Sequence, residues 1–316
     1  MTRSSSASKV SITIAFACVY LCWGSTYAAI RVAGMHLAPQ LVAGCRSLLS
    51  TAVICGICVA RGKSLRVPAS SAWKMILIGV LMMSVNNVLL TWSETMIASG
   101  LASLVIATIP IMVALMETVL PGGEALNKRG WLGVMLGTAG MVALLWPSLH
   151  RGVGNGDRHL LAFGILLVAG LAFAVGSVLS RRFRFPQDMF VVTAWELGSA
   201  GLVNISLAVV TGSFHRAVWT QHGVMAIVYL SIFGSVVGLT SFTYLLQHVP
   251  VTKVATYAFV NPLVAVLLGV VLLHERLQPS ELLGMAIIVA AVATVIASQV
   301  KKSPVAPLED ATEVEA

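Results

Sequence analysis

Charged residues are scarce in this chain. They make up only 10% of its 316 residues, whereas 58% are hydrophobic and the mean hydropathy is +0.91. A water-soluble protein of this length needs more charge to cover its surface, so the composition excludes a soluble globular domain and indicates an integral membrane protein. The net charge of +8 is explained by membrane topology, as described below, and not by binding to nucleic acid.

The sequence also lacks the residue clusters that carry catalysis or bind metals. The seven His are scattered singly, so no metal site and no cofactor are predicted. All five Cys fall in the first two apolar segments, where CGIC at 55–58 has no β-α-β context, and we interpret them as packing residues. An intramembrane enzyme is the alternative of a different class, but no His/Asp cluster, Ser–Lys pair or metal-ligand spacing supports it.

Long apolar segments are present instead, and each is close to the ~20 residues that a helix needs to cross a ~30 Å hydrocarbon core. Ten are found, at 10–30, 39–60, 73–92, 98–116, 131–146, 159–180, 188–211, 223–246, 250–273 and 279–300, of which the fifth is the shortest. The predicted fold class is therefore an all-α integral membrane protein with ten transmembrane helices. Residues 1–9 form a short N-terminal segment, and the polar tail 301–316 is predicted to be disordered.

Basic residues predict the orientation in the membrane. With the N-terminus in the cytoplasm, 14 of the 20 Lys and Arg lie on the cytoplasmic side and five lie outside, while Arg46 lies within a span. This distribution obeys the positive-inside rule, so both termini are predicted to be cytoplasmic.

An internal repeat relates the first five spans to the last five. LASLVIATIPIMVALM (101–116) aligns with KVATYAFVNPLVAVLL (253–268), which places Pro110 on Pro262 at an offset of 152 residues. The same offset pairs Gly24-Ser25 with Gly176-Ser177 and Thr91-Trp92 with Thr243-Tyr244.

Because five is an odd number, the second set of spans enters the membrane from the opposite face. We therefore predict two inverted five-helix repeats, 10–146 and 159–300, joined by a loop at 147–158. Many secondary transporters are built from such repeats, and corresponding Gly- or Pro-interrupted helices in the two halves point to the substrate site.

Three stretches of the chain resemble the EamA-type members of the drug/metabolite transporter superfamily, and are most similar to the bacterial YedA-like branch. They are CWGSTYAAIR (22–31), SETMIASGLASLVIATIP (93–110) and ATYAFVNPLVAVLLGVVLLHERL (255–277). The resemblance extends over all ten spans. It implies a multi-pass protein of the bacterial inner (plasma) membrane that exports small metabolites or drugs. It also implies a central cavity lined mainly by spans 1, 3, 4, 6, 8 and 9.

Pro110 and Pro262 lie at equivalent positions of the two repeats. Proline removes a backbone N–H and crowds the carbonyl four residues back, and hydrocarbon offers no water to satisfy that oxygen. A packing kink would explain one such proline. Two at equivalent positions, one of them preceded by Asn261, favour hinges that face a cavity.

Charged side chains at membrane depth form a second group of candidates. Arg46 lies about 10 Å below the outer edge of span two, where a charge costs at least ~2.5–3.5 kcal/mol, and it matches an Arg that the family tends to place there. It either contacts substrate or is a structural Arg paired to carbonyls or helix ends. Glu196 in span seven is either a proton carrier or the ion-pair partner of Arg46. Glu94, near the outer end of span three, suits an amine or a proton, with a solvated helix-end acid as the alternative.

Polar and aromatic side chains within the spans complete the predicted site. An amide in hydrocarbon needs a partner, which can be another helix or a ligand, and aromatic rings can line a site for organic solutes or cations. An interfacial aromatic belt is the alternative for the Trp residues. The predicted substrate-binding residues are Ser25, Tyr27, Asn86, Trp92, Glu94, Tyr244, Tyr257 and Asn261.

These features together predict a small-molecule exporter that works by alternating access, either coupled to protons through Glu196 or Glu94 or uncoupled. The expected substrates are amino acids or their analogues, organic cations and drugs. An uncoupled facilitator and a sugar or nucleotide-sugar exchanger are alternatives, although a sugar-phosphate exchanger would need several cavity cations and only Arg46 is available. The protein is expected to be a monomer or homodimer in the lipid bilayer.

Overall fold

A computed structural model describes residues 9–121, 123, 125–150, 155–183, 185–249, 254, 257–275 and 278–300. Within these residues the chain forms ten helical spans and no β-strand. We number them α1 Lys9–Gly34, α2 Pro39–Ala60, α3 Ala69–Glu94, α4 Ser99–Val119, α5 Lys128–His150, α6 Asn155–Phe183, α7 Met189–Val210, α8 221–248, α9 Tyr257–Leu273 and α10 Pro279–Val300. Eight contain a stretch that is long and apolar enough to cross a membrane, and Val260–Leu273 in α9 is a shorter apolar helix.

The predicted all-α membrane fold is therefore confirmed. The fifth span is longer than predicted, because α5 is a helix of 23 residues rather than a short segment. Apolar composition marks only the part of a helix that lies in hydrocarbon, whereas α5 begins at the polar residues Lys128 and Arg129.

Equivalent helices of the two repeats end in the same way. The chain turns after α2 at Gly62 and after α7 at Gly212, with φ of +67° and +64°. This left-handed conformation costs glycine nothing and lets the last helical carbonyls accept backbone N–H groups. The closing bonds run from Lys63 N to Cys58 O and from Ser213 N to Ala208 O, both at 2.8 Å.

Equivalent helices also pack against each other in antiparallel fashion. Along α2 and α7, residue numbers rise in one helix as they fall in the other: Gly44 faces Ile205, Leu48 faces Gly201 and Thr51 faces Gly198. Along α5 and α10, Gly133 faces Val295, Gly140 faces Ile288 and Leu144 faces Gly284. Antiparallel contact between repeat mates is what a two-fold axis in the membrane plane requires.

Two segments of π-helix were not predicted from the sequence. Val80–Val85 interrupts α3 and Leu230–Val237 interrupts α8. At the repeat offset of 152, the first segment corresponds to 232–237, so the two lie at equivalent places. A π turn adds a residue to a helix and often occurs at a functional site, but apolar periodicity carries no distinct signal for it.

The two equivalent prolines have different local structures. α4 is interrupted at Ala107 and Thr108, and Pro110 is the second residue of its second half, Ile109–Val119, where the missing N–H leaves no helical bond unmade. Pro262 instead lies inside the uninterrupted helix α9. The proline thus occupies the same position in both repeats, but the helix is interrupted beside it only in the first repeat.

We expect Gly44→Val to destabilise the protein and Gly56→Val, in the same helix, to have little effect. A Cβ at Gly44 would lie 2.8 Å from Ile205 Cδ1, whereas nothing lies within 4 Å of one at Gly56. Overpacking of this kind costs about 1–3 kcal/mol, so the melting temperature in detergent should fall by several degrees for Gly44→Val alone. Equal melting temperatures of the two variants would contradict the close α2–α7 contact.

Candidate functional site

Arg46 connects three helices near the middle of the bundle. Its Nε donates to Ser235 Oγ in α8 at 3.1 Å, and its Nη1 donates to Asn87 Oδ1 in α3 at 3.2 Å. Its backbone oxygen accepts a bond from Ser231 Oγ at 3.2 Å. Ser231 and Ser235 belong to the π segment of α8, and Asn87 follows the π segment of α3. The half-buried arginine therefore bonds to the π segment of α8 and to α3 just after its π segment.

No ion pair joins Arg46 to Glu196, and no carboxylate in the described residues lies within 4.0 Å of the guanidinium. The inversion of the repeats explains the separation. Arg46 lies about seven residues from one end of the bundle, whereas Glu196 lies about seven residues from the opposite end. In the antiparallel pair α2–α7, the residue opposite Arg46 is near 203, which is seven residues or about 10 Å from Glu196 along α7.

Tyr27 is a buried residue of α1. Its side chain is 8% exposed, and it interacts electrostatically with Glu94, Arg46 and Tyr257. The phenol thus brings together residues of α1, α2, α3 and α9. Of the predicted site residues, Tyr27, Arg46, Glu94 and Tyr257 form one neighbourhood.

Glu94 is buried at the end of α3. It is 1% exposed, and neither of its carboxylate oxygens has a hydrogen-bond partner. Arg31 donates from Nη1 to the backbone oxygen of Glu94, not to its carboxylate. The alternative of a solvated helix-end acid is therefore wrong, because this carboxyl is removed from water without a protein partner.

An aromatic cluster lies beside these charges. The ring centroid of Trp23 is 5.1 Å from that of Tyr257 and 5.0 Å from that of Phe242, and Phe242 and Tyr257 meet at 90°. Trp23 also donates from Nε1 to Gly234 O at 3.0 Å. Gly234 lies in the π segment of α8, where the altered helical register frees carbonyls for other donors.

Asn261 lies one residue before Pro262 in the buried part of α9. It is 7% exposed, and its Oδ1 has no hydrogen-bond partner. A buried amide oxygen without a donor is costly, so Asn261 is a place where a solute N–H or O–H would be stabilised.

The other predicted site residues have their own partners or lie elsewhere. Asn86 donates to Ala169 O in α6 at 3.0 Å, and Ser25 Oγ lies 2.6 Å from the Tyr229 hydroxyl. Trp92 is 46% exposed on the surface of α3. Tyr244 packs on the His248 ring at 4.2 Å, about 13 Å along α8 from Ser235.

The predicted list of substrate-binding residues does not include Trp23, Asn87 or Ser235, which the structure places in this neighbourhood. An interfacial belt is the alternative interpretation for Trp23, and Ser235 lies in an apolar stretch that carries no distinct signal. Asn87 differs from the predicted Asn86 by one position, which turns a side chain by about 100° around a helix.

Arg31 forms a second charged group with Glu275 at the end of the bundle where α3 ends and α4 begins. Arg31 Nε lies 3.8 Å from Glu275 Oε1, and Glu275 in turn accepts from Ser99 N at 2.9 Å. We call this end of the bundle the Arg31 end. The opposite end, where Lys63 pairs with Asp188 at 3.1 Å, is the Lys63 end.

The Asp188 carboxyl caps α7 at the Lys63 end. Burial on its own raises the pKa of Asp188, but hydrogen bonds from Lys63 and from Phe190 N, together with the Arg61 charge, hold that pKa below its usual value. Among the described residues, no three His, Cys, Asp or Glu lie close enough together to hold a metal ion.

Two inverted five-helix repeats that meet around buried polar and charged residues define the class of membrane transporters with inverted repeats. The chain belongs to the EamA-like transporter family, which it matches over residues 10–146 and 160–297. It is 32% identical to the inner membrane transporter YedA of Escherichia coli K12 over 278 residues, 88% of each protein. It is 25% identical to the transporter YvbV of Bacillus subtilis, covering 91% of this chain and 92% of YvbV.

A solved crystal structure shows the same fold. That protein is 21% identical to this chain, and the superposition covers 94% of this chain and 100% of the other with a TM-score of 0.65.

We expect Trp23→Phe to lower the melting temperature by several degrees, because it removes the Nε1 bond to Gly234 O while keeping an aromatic ring in the cluster. Such a bond contributes about 0.5–1.5 kcal/mol. Trp92→Phe is the matched control, since that ring is half exposed. Equal stability of Trp23→Phe and the unmodified protein, measured by thermal unfolding in detergent, would contradict the bond to the π segment.

Proposed function

We propose that this protein is a secondary transporter of the bacterial inner membrane that exports small zwitterionic or cationic metabolites by alternating access. One observation carries the proposal: among the described residues Arg46 has no carboxylate within 4.0 Å, the buried Glu94 carboxylate has no hydrogen-bond partner, and both groups interact electrostatically with Tyr27. An unpaired charge at membrane depth is costly and marks a substrate or ion pathway. A solute with opposite charges would supply both missing partners.

The spacing of the two charges supports a particular solute shape. Asn87, which holds Arg46, and Glu94 are seven residues apart on one face of α3, which is about 10 Å along the helix. A solute whose cationic and anionic groups are several bonds apart fits this spacing better than one whose charges are adjacent. Basic amino acids and their analogues belong to this class.

The neutral residues of the site suit the body of such a solute. Trp23 and Tyr257 offer aromatic surface for an aliphatic chain or an amine, and Asn261 offers an acceptor without a donor. Ser25, Asn86, Trp92 and Tyr244 stay candidates for contacts in other conformations, since alternating access rearranges the helices that carry them.

We orient the protein with the Arg31 end toward the periplasm and both termini in the cytoplasm, because most Lys and Arg then lie inside.

Glu94 is the first candidate for a proton carrier. When no substrate is bound, a proton on Glu94 would neutralise the buried carboxylate, which the amine of the solute does when substrate is bound. Proton exchange for substrate at Glu94 would drive export. Glu196, which has no charged partner in the described residues, is the second candidate for a proton carrier.

We expect zwitterions with well-separated charges to raise the melting temperature of the purified protein more than simple anions or neutral solutes do. Bound ligand stabilises the folded state by RT ln(1 + [L]/Kd). Lysine, glycine, an alkylammonium and acetate form a suitable panel for thermal unfolding in detergent.

Substitutions show which residue binds each of the two charged groups of the solute. Glu94→Gln should abolish the shift given by lysine and by the alkylammonium, and Arg46→Gln should weaken the shift given by lysine only. Glu281→Gln is the matched control, because Glu281 caps the start of α10 and is not part of the proposed site, and it should leave all shifts unchanged. The same shift from lysine in all four proteins would refute the charge-pair site.

Pro110 and Pro262 are proposed hinges of α4 and α9. Pro262→Ala restores an N–H that can donate to Ala258 O, and Pro110→Ala removes the constraint next to the break in α4. We expect both variants to fold with normal stability and to transport more slowly in proteoliposomes. Pro39→Ala, at the first turn of α2, is the control. Normal flux from a stable Pro110→Ala, Pro262→Ala double variant would exclude the hinge role.

A further inference from the structure

Glu275 joins the two repeats at the Arg31 end. It belongs to the second repeat, directly after α9, but its carboxylate caps the first turn of α4 in the first repeat. Oε1 accepts from Ser99 N at 2.9 Å, and Oε2 accepts from Ser99 Oγ at 3.0 Å and lies 3.5 Å from Gly100 N. A helix N-terminus carries partial positive charge and free N–H donors, so a carboxylate is well held there.

The chain around Glu275 is shaped for this contact. His274 has a left-handed φ of +53°, which turns the backbone so that Glu275 N donates to Gly269 O at 3.0 Å. Gly269 has no side chain, and a Cβ there would contact the Glu275 carboxylate and lie 3.1 Å from Ser99 Oγ. The left-handed turn and the missing side chain both serve to seat one carboxylate on α4.

The charges around this contact are few. Arg31 from α1 lies 3.8 Å from the Glu275 carboxylate, and the buried Glu94 carboxyl interacts electrostatically with both of them. Tyr27 of α1 interacts electrostatically with Glu94, and His274 is exposed. The Glu275 side chain is only 8% exposed, so the capping bonds are largely protected from water.

The same end of the bundle is where α4 and α9 are packed most closely. A Cβ at Gly100 would lie 2.8 Å from Val266 Cγ2. α9 packs against the Ser99–Ile106 half of α4, whereas the Ile109–Val119 half packs mainly against α6 and α10. The contact between α4 and α9 is thus concentrated at the Arg31 end.

A different charge pair lies at the Lys63 end. Glu117, near the end of α4, pairs with Arg181 at 2.7 Å and with Arg182 at 3.5 Å, both from α6. These helices are the repeat mates of α9 and α1. The Arg181 side chain is 63% exposed, so this pair is on the surface, where ion pairs contribute little. The pair at the Arg31 end is the buried one.

We propose that Glu275 is a latch that closes the Arg31 end by holding the first turn of α4 against α9, and that its release is the step that opens the site on that side. This rests on the proposed function in assuming alternating access. In this structure Glu275 is seated on Ser99 and Gly100, which in this proposal is the closed state of the Arg31 end. Opening requires that Ser99 and Gly100 separate from Glu275, and Arg31 is then the partner that stays near the carboxylate.

The latch can be tested without substrate by measuring how fast a buried cysteine reacts. In a background lacking the five native Cys, Ser103→Cys places a thiol one turn below Ser99 at a position that is 1% exposed. An impermeant thiol reagent added to intact cells should label it slowly. Glu275→Gln keeps the shape but loses the charge, and it should raise the labelling rate roughly fivefold or more, the range of typical conformational couplings.

Glu281→Gln is the matched control. This glutamate lies on the same side of the bundle, but it accepts from Gln278 N at 2.7 Å at the start of α10, and no hydrogen bond joins it to α4 in the described residues. It should leave the labelling rate within twofold of the parent. If Glu275→Gln folds poorly, Gly269→Ala, which displaces the carboxylate from Ser99, should raise the rate in the same way.

Two further single-cysteine variants test the membrane orientation independently of the latch. A cysteine at the exposed position of His215 should be labelled from outside, and one at the exposed position of Ser64 should not. The reverse result would overturn the proposed orientation, and the comparison would then be made in inside-out vesicles. The reagent is applied on the side that the Arg31 end faces. If Ser103→Cys is then labelled at the same rate with and without Glu275→Gln, the latch is overturned. An equal increase from Glu281→Gln would also overturn it.

Discussion

The absence of water in the bilayer is the constraint on which this structure depends. Every polar group at membrane depth must find its partner within the protein or in a solute. Arg46 meets this condition with neutral oxygens from α3 and α8, which satisfy its donors but leave its charge uncompensated. Glu94 does not meet it at all in the described residues. The candidate site is therefore identified by these two groups, whose charge or hydrogen-bonding capacity the protein itself does not satisfy.

The same constraint explains why the irregular backbone is confined to the centre. The π segment of α8 frees carbonyls, and these are met by Trp23 and Ser50, which donate to Gly234 O and Ser231 O at 3.0 and 3.3 Å. The π segment of α3 is tied to α7 through Ser84 and Asn204 at 2.5 Å. Each irregular segment thus has partners from a neighbouring helix. Glycine residues on α2, α5, α7 and α10 allow the close packing of the pairs α2–α7 and α5–α10.

Much of this fold can be predicted from the sequence, because hydrocarbon thickness fixes helix length and an offset of 152 residues is visible without any structure. The site is less predictable. An ion pair between Arg46 and Glu196 was plausible from their places in equivalent helices, but inversion places those equivalents at opposite depths. Asn86 and Asn87 are indistinguishable by composition, and only the helical register decides which one contacts Arg46. Glu275 and Ser99 are far apart in the chain, and no local pattern relates an acid after α9 to the start of α4.

The π segments also indicate the order of two events in the evolution of the chain, the insertion of a residue and the duplication of the repeat. A π turn is one residue inserted into a helix, and an insertion in a single repeat would change the spacing between the repeats. The offset of 152 is the same before the segments, at Gly24 and Gly176, and after them, at Thr91 and Thr243. Both helices therefore carry the extra residue, and the simplest account is that the ancestral five-helix unit already had it when it was duplicated. The irregularity at the centre of the site would then be older than the two-repeat protein itself.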